Sequence, residues 1–159
     1  MAIVETLIAT GIEGLLTLPI EGIKALIKMK PEARKILKAV YLEVNANKTV
    51  LSKTIDKNGN GAPLGSKEFK QLAASLSITQ TEPLYKEQKT VRRAKIAKGG
   101  KKREQINRIQ YALNYTVRQI KEIKALAKLN KAQGLRLPVR LRTLAKHLNQ
   151  LETVLRPVK

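Results

Sequence analysis

The stretch Ile106–Ala127, INRIQYALNYTVRQIKEIKALA, decides the fold class. Its residues Ile106, Ile109, Leu113, Thr116, Ile120, Ile123 and Ala127 step by three and four. That spacing returns to one side of an α-helix at every turn, so it predicts a helix with a single buried seam. Carried back to Lys101, the helix is about 30 residues long, roughly 45 Å at 1.5 Å per residue. A strand would need apolar residues at every second position, and no segment of the chain alternates that way.

The pattern recurs toward the C-terminus. Residues Asn130 to Leu137, with Gly134, read as a turn. Pro138 suits a first helical turn, where its missing N–H is no loss. Leu141, Leu144, Leu148, Leu151 and Leu155 then step by three and four, and Pro157 stops the helix. Two helices with matched seams and a short link predict a long antiparallel hairpin. A leucine stripe this regular is core, and by itself no evidence for a zipper dimer.

Toward the N-terminus the same reading holds. Lys30-Pro31-Glu32 marks a helix start, with proline in the first turn and an acid at the positive end of the dipole. Ala33, Leu37, Val40, Val44, Asn47, Leu51 and Thr54 form its seam. Asn47 interrupts an apolar row, which costs stability and fixes register. Asp56 to Gly61, DKNGNG, resembles half a calcium loop, but the twelfth position is Lys67 where a bidentate Glu is needed. It reads as a turn, because Gly and Asn tolerate positive φ. Ser66 is the expected N-cap of a short helix with Phe69, Leu72, Ala73 and Leu76 on one face, and a polar joint follows at Thr79 to Pro83. The expected fold is all-α, a helical bundle of four to five helices with the C-terminal hairpin as its longest part.

Residues 4 to 27 form three eight-residue units, VETLIATG, IEGLLTLP and IEGIKALI. Carboxylates interrupt the apolar run and no basic region precedes it, so it resembles neither a secretory signal nor a clean transmembrane span. On a helix, Ala2, Thr6, Thr10 and Gly14 make a small-residue stripe suited to close helix approach. Pro19 is expected to kink or split the segment, with a second short helix starting near Thr17 or Leu18. Residues 1–29 are thus expected to pack on the chain's own core, on another protomer or on a membrane. Residues 30–159 are expected to form the basic bundle.

The composition supports helices. Aromatic residues are only 3% of the chain, with one Phe and no Trp, so the core must be aliphatic. Cysteine is absent and His147 is the single histidine, which excludes a disulfide framework and a Cys/His zinc site. No acid–base pair, nucleophile with a base, phosphate loop or other catalytic pattern occurs, so no enzyme and no cofactor is predicted. His147 lies among Lys and Arg and reads as solvated or facing a phosphate.

The net charge is +20, and its distribution points to a partner. Residues 1–85 hold 11 Lys/Arg and 8 Asp/Glu, whereas residues 86–159 hold 21 and 4. The excess begins in a basic stretch at 86–108 and continues through Arg118, Lys121, Lys124, Lys128, Lys131, Arg136, Arg140, Arg142 and Lys146. A solvated linker accounts for the stretch alone, but not for the unbalanced continuation. A phosphate backbone is the natural counterpart. The expected contacts are Arg92, Arg93, Lys95, Lys98, Lys101, Lys102, Arg103 and Arg108, with Arg136, Arg140 and Arg142 on the hairpin. The basic stretch has no aromatic residue, which argues against base stacking there; Tyr111 and Tyr115, one turn apart, either pack or stack.

The reading is therefore a non-enzymatic protein that binds the backbone of DNA or structured RNA, as a homo-oligomeric scaffold or coat component. Phages and mobile elements use basic helical proteins in such roles. Its expected location is the cytoplasm, free or at a membrane. The rival reading anchors residues 1–29 in a bilayer and lays the basic body on anionic lipid. It predicts charge beside the apolar segment, whereas most of the charge lies 60 or more residues later.

Overall fold

The computed structural model describes residues 11–19, 22–58, 65–87, 100–129 and 137–159. Of residues 23, 57–58, 100–103 and 137–138 only the backbone is described. The described residues hold seven α-helices: α1 (11–19), α2 (Ile23–Lys28), α3 (Pro31–Asn58), α4 (Ser66–Ser75), α5 (Thr81–Glu87), α6 (Gly100–Lys128) and α7 (Leu137–Leu155). A 3-10 turn, Arg156–Val158, ends the chain, and no strand occurs among the described residues. The fold is all-α. The number of helices exceeds the four to five expected; α5, with only 7 residues, lies where a polar joint was expected, being too short to show a period.

Each long helix buries the seam that its periodicity marks. Leu37, Val40, Val44 and Leu51 of α3 are buried, as are Ile106, Ile109, Leu113, Ile120 and Ile123 of α6 and the five seam leucines of α7. Together with Phe69, Leu72, Leu76 and Leu84 they form one continuous aliphatic core. Fully burying one such side chain stabilises the fold by about 1.5–3 kcal/mol. α3 packs along α7, and α7 along α6. α6 in turn meets α4 and α5, which return to α3 and close the ring. The 3-10 turn continues past Leu155 so that Val158 is buried too.

α1 lies on this ring. Ile12, Leu15, Leu16 and Leu18 are buried, and Glu13 is exposed. Gly14 permits the approach: a β-carbon there would sit 2.5 Å from Met29 Cε and 3.3 Å from Leu37 Cδ1. The small-residue position is thus filled by the chain's own side chains, while Ala2, Thr6 and Thr10 lie outside the described residues. Pro19 is helical in α1, and α2 begins at Ile23, later than expected. Gly22 makes the corner at φ +57°, a conformation that side-chain-bearing residues rarely adopt.

The break between α4 and α5 is held by α3. Asn47, 2% exposed, donates from Nδ2 to Ser77 O at 2.7 Å and accepts from Ser77 N–H at 2.9 Å. One turn earlier, the Glu43 carboxyl accepts from Ser77 Oγ, from the Gln80 and Thr81 N–H groups and from Thr81 Oγ1 at 2.7–3.1 Å. Two residues of one helix thereby satisfy the backbone of a joint 30 or more residues away. Ser66 does not cap α4: it is the first helical residue, and Gly65 stands at the cap without a side-chain bond. The DKNGNG motif is divided: α3 runs through Asn58, and residues 59–64 lie outside the described residues.

Candidate nucleic-acid interface

α6 carries cations on two flanks, and the flanks differ. Toward α4 and α5, Arg118, Lys121 and Lys124 are occupied. Lys121 Nζ lies 3.1 Å from Glu82 Oε1, which it shares with Lys86 at 3.1 Å. Hydrogen bonds from Lys121, then Lys86, hold the Glu82 carboxyl below its ordinary range. Arg118 Nε donates to the Tyr85 hydroxyl at 3.4 Å. Lys124 Nζ donates to Ala73 O at 2.7 Å, placing a cation at the negative end of α4.

Beside α7 the pattern changes. Arg140, an expected nucleic-acid contact, donates to Glu122 Oε1 at 2.7 Å and so ties the start of α7 to α6. Arg108 and Arg142, expected contacts as well, are exposed and make no ion pair with a described residue; Lys146 is the same. Lys101, Lys102 and Arg103 fall in the first turn of α6, where only the backbone is described. Arg92, Arg93, Lys95, Lys98 and Arg136 lie outside the described residues.

An aromatic cluster stands among the unpaired cations. His147 is only 8% exposed, so its reading as a solvated residue is corrected. Its ring meets Tyr115 at 4.5 Å and Tyr111 at 5.2 Å between centroids, both reaching across from α6. Neighbours in sequence concealed this, because the rings that bury it belong to another helix. His147 Nδ1 lies 3.1 Å from Gln150 Oε1; as that oxygen only accepts, Nδ1 carries the proton in this pairing. Tyr111, unlike His147, is 60% exposed.

Gln150 joins the cluster to a cleft of about 310 Å³ between α6 and α7. Arg108, Ile109 and Ala112 form one wall, Asn149, Gln150 and Val154 the other, and Pro19 of α1 joins the lining. The floor is apolar and the rim carries one guanidinium and several amides. That combination can hold a flat apolar group by its faces, a polar edge by the amides and an anion by Arg108.

No group of three or more His, Asp or Glu placed to hold a metal occurs among the described residues. No described helix is long and apolar enough to cross a membrane. No protein-family model matches the chain, and no curated protein or solved structure is significantly similar to it.

Proposed function

We propose that the chain is a non-enzymatic nucleic-acid-binding protein of the cytoplasm. It contacts the phosphate backbone of DNA or structured RNA through its basic helical surface, as an oligomeric scaffold or coat component. One observation carries this reading. The unpaired cations Arg108, Arg142 and Lys146 sit on the outward side of α6 and α7, in the part of the chain that holds 21 basic and 4 acidic residues. Cations maintained without acidic neighbours oppose one another until a polyanion neutralises them.

The proposal includes the finer architecture, with α6 and α7 as an antiparallel hairpin. Its support is the order of the cross-helix pairs: Arg140 with Glu122, then His147 with Tyr115 and Tyr111. The burial of Ile12, Leu15, Leu16 and Leu18 in the chain's own core favours this reading over a lipid anchor built on the same residues.

A salt titration against duplex DNA, structured RNA and anionic liposomes tests it, with the mass of each complex measured by light scattering. The expected result is binding to nucleic acid whose logarithm falls linearly with the logarithm of salt concentration. Liposome binding that persists at high salt, with no nucleic-acid binding, would replace the proposal with membrane association.

A further inference from the structure

The phosphate reading leaves Tyr111 unused. This ring is 60% exposed, although Tyr115 and His147 support it from one side at centroid distances of 6.3 and 5.2 Å. His147 is itself fixed, being buried and paired with Gln150. The ring is therefore braced by two others while the residue stays exposed, which lowers the conformational entropy lost when something stacks on it.

What lies beside the step defines its occupant. Gln150, which holds His147, also lines the adjoining cleft, so the support of the step and the cleft share a residue. Its volume of about 310 Å³ is that of a small-molecule site. Arg108, one helical turn before Tyr111, stands on its rim. On the α7 wall Asn149 adds a donor and an acceptor, and Thr153 an acceptor, its hydroxyl proton being given to Asn149 O. Aromatic face, amide edge and guanidinium in sequence fit the three parts of a nucleotide: base, sugar and phosphate.

We propose that Tyr111 and the adjoining cleft between α6 and α7 receive an unpaired nucleotide of RNA, its base stacked on Tyr111 and its phosphate held by Arg108. This rests on the nucleic-acid reading and narrows it. A fully paired duplex offers phosphates but no free base face, whereas loops and bulges of structured RNA offer both. The amides of Asn149 and Gln150 suit a sugar that carries a 2′-hydroxyl.

The test uses the full chain and three probes: oligouridylate, oligothymidylate and a DNA duplex of equal length. Affinities are compared for the wild type, Tyr111→Ala and Tyr111→Phe, with circular dichroism confirming equal helicity. Tyr111→Ala is expected to weaken oligouridylate binding by about tenfold. Tyr111→Phe should retain it, and duplex binding should change for neither. Equal affinity of Tyr111→Ala and wild type for oligouridylate, with salt-dependent binding preserved, would overturn the stacking step and leave the phosphate reading standing. Tighter binding of oligothymidylate than of oligouridylate would overturn the assignment to RNA. Absence of binding to all three probes and to the structured RNA of the salt titration would overturn both readings together.

Discussion

The two flanks of α6 carry similar residues and use them differently. On the flank facing α4 and α5, Arg118, Lys121 and Lys124 reach a tyrosine hydroxyl, a carboxyl and a helix C-terminus. On the flank beside α7, Arg108 makes no ion pair with a described residue, and neither do Arg142 and Lys146 on α7 itself. Sequence alone presents these residues as one continuous basic run. Net charge therefore overstates the surface that a partner can use: part of it is already the means by which helices are joined. Only the remainder is open to a polyanion.

The largest expected effect tests the open flank. Replacing Arg108, Arg142 and Lys146 together by Ala should reduce duplex binding by about 500-fold near 0.1 M salt. Three phosphate contacts, each contributing a log–log slope of about 0.9, make that factor, and the slope itself should fall by about 2.7. Stability should stay within about 0.5 kcal/mol, because the three side chains bind nothing described within the fold. Filter binding across a salt series with parallel urea denaturation reads both quantities. Unchanged binding would move the interface off this flank.

The opposite outcome is expected where polar groups join helices. Glu43→Ala should destabilise the chain by about 2–3 kcal/mol, through lost charged hydrogen bonds and an uncapped α5. Lys124→Met, which keeps the aliphatic stem but frees Ala73 O, should cost about 1 kcal/mol. Urea midpoints measure both. Once folded, neither variant should bind nucleic acid differently from wild type. A binding loss as large as that of the triple variant would erase the distinction between the flanks.

These differences follow from what a one-dimensional pattern can carry. The seams of α3, α6 and α7 were legible because a step of three and four is a property of neighbours along the chain. Pro19 announced the break before α2 but not where α2 starts, and α5 was read as a polar joint, because a segment of one or two turns has no period to detect. Asn47 was legible as a polar residue in an apolar row, but its partner Ser77 lies 30 positions away. His147 was misread for the same reason. Its sequence neighbours are cationic, and the rings that bury it arrive from α6. At the candidate site, the one-turn spacing of Tyr111 and Tyr115 was visible, and which of the two projects was not. The division of cations into paired and open was likewise invisible, since Glu82 and Lys121 meet only after folding.

The smallest expected effect concerns acid. Glu82 is held below its ordinary value of 4.5 first by Lys121 and then by Lys86, and Glu152 first by Arg156, with Lys48 at 3.7 Å. Unfolding releases both carboxyls to ordinary values, so just below that value the unfolded chain binds more protons than the folded one. Their contribution to stability is then complete above about pH 5 and declines as pH falls through the lowered folded values. Urea denaturation between pH 6 and pH 3 should show this loss. Glu152→Gln should reduce it more than Glu82→Gln, because the Glu152 side chain is 8% exposed and that of Glu82 25%, and water screens the more exposed pair. Arg142→Ala should leave the pH profile unchanged, since no described carboxyl depends on it. A profile altered equally by Arg142→Ala and Glu152→Gln would mean that the open flank also holds the fold together.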